Sequence, residues 1–334
     1  MEILNIKVIL PKYDGKGFGR LNAKNGNYYI GELFNGKKHG KGIIYNQNKN
    51  ILYDGEFLED KMEGNGTFYY ENGNYYKGEF KNYTFHGKGI LYSKEGDIIY
   101  EGDFVNGNKE GNGKGVLENG YYYIGQFSKD NLNGKGIMLN KKGDIKYEGD
   151  FVKGKLEGNG KLFFENGYYY IGQISNNLPN GKGKLYYSDG NIRYEGECIN
   201  GKMKGKGKLI TENGETYEGQ FVDNALNGEG KSYYKNGKIK YEGNFVDMKK
   251  EGKGKLYFED GSLKYEGDFV NDKMQGNGKL ILDDKYYYIG QFKDDKMYGK
   301  GKFYDKNKNI IYEREFINFK PDIKYKIFSF GDFN

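Results

Sequence analysis

Few side chains in this sequence are of the kinds that perform catalysis. There are two histidines, His39 and His86, and one cysteine, Cys198. A nucleophile–base pair or a zinc site would have to draw on these three. Each histidine immediately precedes the first glycine of a Gly-x-Gly, Gly40-Lys41-Gly42 or Gly87-Lys88-Gly89. Matching positions elsewhere hold Glu110, Asn133, Glu157 or Lys204, which favours a solvated loop residue over a catalyst. Two imidazoles and one thiol fall short of the usual zinc ligand count. Cys198 stands where most neighbouring segments carry Phe, so it reads as a small packed hydrophobe. No catalytic, cofactor-binding or metal-ligating residue is assigned, and no cofactor is expected.

Carboxylates are abundant, but they recur in step with lysines. Paired acids for hydrolysis need a unique pocket, which a repetitive face does not supply. Gly205-Lys206-Gly207-Lys208 is superficially like a phosphate loop, yet it lacks Gly-x-x-x-x-Gly-Lys-Ser/Thr. An enzyme is therefore not expected. The 53 basic and 47 acidic residues interleave and leave a formal charge of +6, a weak case for nucleic acid or anionic lipid. Lysines among aromatics would suit a single nucleic-acid strand. Here the alternation sets the lysines and the recurring tyrosines on opposite faces, so no nucleic acid is expected. A membrane surface is a minority reading, since each engaged Lys or Arg contributes only about 1 kcal/mol.

The elements that position these residues follow a clock. A tyrosine opening Tyr-x-Gly-x-Phe or a close variant falls at 29, 53, 76, 100, 123, 147, 170, 194, 217, 241, 265, 288 and 312. The steps are 23 or 24 residues, and Gly-x-Gly follows almost every such tyrosine by eleven. Within a unit the period is two, which means strands. The 55 glycines, 35 tyrosines and 3 prolines suit neither a thick core nor a disordered chain. The organisation expected is an N-terminal cap and incomplete repeat over 1–28, twelve repeats over 29–311, and a degenerate repeat with a C-terminal cap over 312–334. With a single cysteine, no intrachain disulfide is possible. The start, MEILNIKVILPKYDGKG, lacks a basic leader segment, and no stretch approaches the length of a membrane span. An intracellular place is expected, cytoplasmic or peripheral to a membrane or cytoskeletal structure.

Folding one unit into a hairpin with a loop at 152–157 pairs Tyr147 with Leu162, Gly149 with Gly160, Phe151 with Gly158 and Glu148 with Lys161. The same register pairs Glu101 with Lys114, Glu195 with Lys208, Glu218 with Lys231, and Ile30 with Ile43. Such cross-strand pairs contribute about 0.2–1 kcal/mol each. In 23-residue units the link carries Glu-Asn-Gly, as at 165–167, and predicts a three-residue loop with a left-handed Gly. In 24-residue units it carries Asp-Gly or Asn-Gly, as at Asp189-Gly190, and predicts a two-residue type I′ turn with Leu185 opposite Tyr194. The fold class expected is all-β: an elongated, twisted, single-layer antiparallel sheet of about 12–13 stacked hairpins. Its core is an aromatic ladder of Tyr53, Tyr76, Tyr100, Tyr123, Tyr147, Tyr170, Tyr194, Tyr217, Tyr241, Tyr265 and Tyr288, lying over glycines.

This pattern resembles the MORN repeats (membrane occupation and recognition nexus). The resemblance rests on Tyr100-Glu101-Gly102-Asp103-Phe104-Val105-Asn106-Gly107 with Gly111-Asn112-Gly113. It rests equally on Tyr194-Glu195-Gly196, Asn200-Gly201-Lys202 and Gly205-Lys206-Gly207. Cys198, Ile174 and Leu33 depart from the family's Phe, and Arg314 from its Gly. The resemblance implies a scaffold or spacer that binds protein partners of unknown identity and can form homodimers. It also brings two alternatives, a membrane-associated phosphoinositide adaptor and a bacterial antitoxin-like immunity or binding protein.

Two further groups are candidate contacts. Two residues before the first Gly of Gly-x-Gly stand Met62, Phe85, Leu132, Leu156, Met203, Leu226, Met274 and Met297. They read either as a cluster closing each loop or as a ridge that binds a partner. At the C-terminus Phe316, Phe319, Phe328 and Phe330 either cap the last hairpin or join two copies end to end.

Overall fold

The computed structural model describes residues 3–9, 15–282 and 285–319, which form strands and turns with no helix. They fall into two compact units, one ending at Phe163 and one starting at Phe164. The first unit holds fourteen described strands, Ile3–Ile9 through Lys155–Phe163, and the second thirteen, Tyr169–Ser175 through Ile310–Phe319. Within each unit, strands adjacent in sequence pair antiparallel. Among the described residues no pairing joins a unit's first strand to its last, so each sheet is open and not a barrel. The class is all-β, stacked antiparallel hairpins, as the alternation predicts.

The register of the hairpin Ile145–Val152 and Lys155–Phe163 agrees with the sequence for its first half. Tyr147 faces Leu162, Glu148 faces Lys161, and Gly149 faces Gly160. Beyond that it differs: Phe151 faces Leu156 rather than Gly158, and Val152 faces Lys155. The expected loop at 152–157 is instead a tight turn at Lys153-Gly154, with φ of 48° and 80°, the type I′ geometry. The two surplus residues, Gly158 and Asn159, form a bulge. Gly158 turns left-handed at φ 70°, and the Asp150 carboxylate accepts the Asn159 N–H at 3.1 Å. Gly-x-Gly thus encodes a bulge. Its second glycine pairs inside the hairpin, while the first can face the next unit, as Gly134 faces Phe151.

The links also differ from expectation in one class. Both unit lengths use the same three-residue loop. The Gly73 N–H donates to the Tyr70 carbonyl at 3.0 Å, and the Gly190 N–H to the Tyr187 carbonyl at 3.1 Å. In the second loop only Gly190 has positive φ, so Asp189-Gly190 is not a type I′ turn. The extra residue is absorbed within the strand. Leu185 faces Tyr194 but Tyr186 faces Ile192, which leaves Arg193 as a bulge. Lys146, Lys240 and Lys264 occupy equivalent bulges. A bulge raises local twist without reversing the faces, so the tyrosines stay on one side.

The core is the aromatic layer on that side. The Tyr147 ring lies flat on its own hairpin, and a Cβ added at Gly160 would meet its Cε2 at 2.4 Å. Its hydroxyl donates to the Asp150 carbonyl at 2.9 Å, so the buried polar end is satisfied. Phe151 meets Tyr147 edge-on at 5.1 Å and the preceding unit's Tyr123 at 4.9 Å. Each such ring therefore bridges two neighbouring hairpins, and edge-to-face pairs add about 0.5–1.5 kcal/mol beyond burial. Tyr53, Tyr76, Tyr100, Tyr123, Tyr147, Tyr170, Tyr194, Tyr241, Tyr265 and Tyr288 are all fully buried in this way.

Tyr217 departs from the ladder. Its ring is half-buried and its hydroxyl donates to Glu215 at 3.1 Å. Leu226, fully buried, takes the place over the glycines, with Cδ1 2.8 Å from a Cβ added at Gly219. Tyr217 faces Ser232, where Tyr194 faces Leu209 and Tyr241 faces Leu256. The small Ser232 leaves room for the ring to swing away.

Candidate interaction surface

The row of apolar residues before Gly-x-Gly lies on the tyrosine face, with Leu226 covering the glycines themselves. Phe85 stacks on Tyr76 at 3.9 Å and 18°. Leu132, Leu156, Met203, Leu226 and Met297 are buried, while Met62, Phe85 and Met274 are half-buried. Where the row carries lysine, the stem packs the same way and the ammonium sits over an aromatic ring. Lys109 Nζ lies 5.0 Å from the Tyr100 ring centre and Lys250 Nζ 5.9 Å from that of Tyr241.

The hairpin turns are tied to their neighbours one unit away. The Lys109 N–H donates to Asp130 Oδ1 at 2.9 Å, and the Asp130 N–H donates to the Lys109 carbonyl at 3.1 Å. Met203 with Asn224 and Lys250 with Asp272 repeat the side-chain bond. These polar groups serve the stacking of units.

On the opposite face the acids are also engaged. Lys184–Glu195, Lys208–Glu218 and Lys231–Glu242 form ion pairs of 3.1, 2.9 and 3.4 Å, each between one hairpin and the next. Lys135 pairs with Asp150 at 2.5 Å, and this ammonium holds the Asp150 carboxyl below the usual range. Tyr233 and Tyr257 donate to Glu218 and Glu242 at 2.8 and 2.6 Å.

This face carries a second set of tyrosines that the sequence reading passed over. Tyr169 stacks on Tyr186 at 4.7 Å, Tyr75 on Tyr92 at 4.7 Å, and Tyr287 on Tyr304 at 5.0 Å. Lys279 Nζ lies 4.2 Å above the Tyr287 ring and the Arg20 guanidinium 3.9 Å above Tyr28. The expected separation of lysines from tyrosines therefore fails on both faces, since Lys109 and Lys250 already lie over ladder rings. The signal was present in doublets such as Tyr75-Tyr76 and Tyr169-Tyr170, where period two must place one ring on each face.

The residues first considered for chemistry are not brought together. His39 and His86 are half-buried at equivalent bulges, and no protein group hydrogen-bonds their Nδ1 atoms. Cys198 is buried, and burial pushes its thiol up to about 11, which keeps it from acting as a thiolate. Among the described residues no group of three or more His, Cys, Asp or Glu is arranged to hold a metal. Of the C-terminal candidates, Phe316 is buried against Tyr288 at 5.4 Å and Phe319 ends the last described strand. Phe328 and Phe330 lie outside the described residues.

Three openings lie on these surfaces. One of about 880 Å³ lies on the charged face of the first unit, among Lys41, Lys77, Lys88, Asp54 and Glu101. One of about 210 Å³ lies beside Tyr29 and Lys38. The third, about 480 Å³, lies on the tyrosine face of the second unit beside Tyr194 and Cys198.

These features define an open-sheet repeat protein in which one β-hairpin is the repeating unit and neighbours complete each other's core. The chain belongs to the MORN repeat family. The MORN repeat model matches residues 29–50, 53–75, 76–98, 100–120, 123–145, 147–167, 170–192, 194–216, 241–263, 265–285 and 288–310. A MORN repeat variant matches 226–247, the neighbourhood in which Tyr217 leaves the ladder. No curated protein matches the chain significantly. Among solved structures, the crystal structure of the computationally designed Ika8 protein is similar at 11% identity, covering 94% of this chain and 88% of that one. Its TM-score is 0.16. MORN repeat proteins are generally non-catalytic, and the repeats are known in membrane-associated and interaction proteins. No helix among the described residues is long and apolar enough to cross a membrane.

Proposed function

We propose that this chain is a non-catalytic scaffold or spacer that binds protein partners. The observation that carries this reading is how its reactive side chains are used. Asp150-type acids hold bulges, Glu195-type acids pair with lysines of the preceding hairpin, and turn acids tie units together. Little is left to assemble a reaction centre, while apolar and aromatic rows repeat along both faces. Where these rows reach the surface, as at half-exposed Phe85 and Tyr169 and exposed Val152, Ile171 and Val222, they suit recognition of another chain. Cross-linking in cells followed by identification of bound proteins tests it. Reproducible, saturable protein partners are expected. Capture of lipid alone, with binding to phosphoinositide vesicles at physiological salt, would instead favour the membrane adaptor. Solution mass measured with and without residues 320–334 tests self-association through the C-terminus: a dimer that becomes a folded monomer would place the contact there.

A further inference from the structure

The second unit contains a break in the aromatic layer. Phe is replaced in two consecutive repeats, by Ile174 and Cys198, so no phenylalanine ring bridges Tyr170 and Tyr194. By contrast Phe151 bridges Tyr123 and Tyr147, and Phe269 bridges Tyr241 and Tyr265. Beside this break lies the opening of about 480 Å³, with Leu185, Tyr194, Cys198 and Met203 among its walls. That volume and its mainly apolar lining suit a bound side chain or small ligand.

Its rim carries a cation, and the Glu212 carboxylate accepts a hydrogen bond from the hydroxyl of the neighbouring Tyr168 at 2.9 Å. Arg193 is the bulge residue of the link, and its guanidinium lies 5.6 Å from the Tyr168 ring centre and 6.0 Å from that of Tyr187. Among the described residues no carboxylate forms an ion pair with it; the same is true of Lys146 and Lys264 at equivalent bulges, while Lys240 pairs with Glu215. The two rings hold the planar guanidinium in place. A held, unpaired guanidinium is well suited to a planar carboxylate, which it can grip with two parallel hydrogen bonds.

We propose that this groove is a docking site for an extended peptide segment of a protein partner, one presenting a large apolar side chain close to an Asp or Glu. The apolar side chain enters beside Cys198 and the carboxylate meets Arg193. This rests on the scaffold reading and deepens it, by naming the place and the chemistry of the contact.

The probe is a display library of random linear peptides, selected on the full chain and re-measured singly by fluorescence anisotropy. The expected consensus joins a large apolar residue to an acid. Arg193→Glu should weaken the enriched peptides at least tenfold. Cys198→Phe should also weaken them at least tenfold, because it restores the ring found in most other repeats. Circular dichroism and melting show whether each variant is folded. Absence of enrichment, or enriched peptides indifferent to both folded variants, would overturn the proposal. So would binding to phosphatidylcholine vesicles containing phosphatidylinositol bisphosphate that is lost with Arg193→Glu, which would assign the guanidinium to a headgroup. Cellular partners captured equally by wild type and both variants would refute the groove and leave the scaffold standing. Absence of any captured partner would count against the scaffold itself.

Discussion

Alkaline titration should unfold the first unit in a steep step. Six tyrosines of its core, Tyr29, Tyr53, Tyr76, Tyr100, Tyr123 and Tyr147, are buried. Burial pushes Tyr123 and Tyr147 up to about 12 from an ordinary value near 10, and the other four also upward. A raised folded value means that above pH 10 the unfolded chain releases protons that the folded chain keeps. Stability is then full below pH 10 and falls as pH rises through the folded values. Each tyrosine contributes at most about 1.4 kcal/mol per pH unit. Six give roughly 8, and halving for residual solvent screening leaves about 4 kcal/mol per pH unit. Lys38 and Lys109, lowered mainly by burial, act in the opposite sense up to their ordinary value, but they are two against six. A unit with a stability of about 5–10 kcal/mol should therefore open within about one to three units above pH 10. Tyrosinate absorbance and far-ultraviolet circular dichroism, read on one sample, provide the assay. Exposed rings should ionise first, and the remainder in a step that coincides with loss of strand signal. Smooth ionisation of all tyrosines near pH 10 with the sheet intact would refute the buried ladder.

Other expectations follow from the same geometry. Gly160→Val should cost about 3–5 kcal/mol by evicting the Tyr147 ring, whereas exposed Glu148→Ala should change stability by less than about 1 kcal/mol in urea unfolding. Met248 sits at φ 67° and lends its sulfur to the Leu226 N–H at 3.1 Å, so Met248→Asn, better suited to both tasks, should stabilise by about 0.5–1 kcal/mol in thermal melts. Cys198→Phe should add two edge-to-face contacts and raise stability by about 1–3 kcal/mol; a lower melting temperature would mean that the groove cannot hold a ring.

The strands and their faces were legible because period two and the repeat spacing act together. A one-residue slip would bury Glu148 and Lys161, so the first half of each hairpin had one acceptable register. The second half was not legible, for a local reason. Gly158-Asn159-Gly160 reads as continuing alternation, and nothing in residue type alone separates a paired glycine from a left-handed one in a bulge. The acceptor that decides it, Asp150, lies on the other strand, and its position could be read only as part of a charged row. The 24-residue links misled in the same way. Asn-Gly and Asp-Gly are strong signals for a two-residue turn, but the same Gly also closes a three-residue loop. The extra residue could then move into the strand as Arg193 or Lys240.

A perfectly periodic array has no address: every hairpin offers a partner the same surface. Specificity must then come from departures, and these are unevenly placed. Ile174, Cys198, Arg193 at a bulge that elsewhere holds Lys146, Lys240 or Lys264, and the displaced Tyr217 fall within three successive repeats of the second unit. Three of these departures weaken the stacking of hairpins. Ile174 and Cys198 give up ring contacts, and Tyr217 gives up its glycine platform. A sequence that keeps the ladder in most other described repeats, Leu33 and Arg314 apart, and relaxes it here trades local stability for a local feature. The same reasoning explains why candidate chemistry was illegible from motifs. The informative residues are recognised by what the repeat would have placed there, and by the cavity that remains once the repeat is folded.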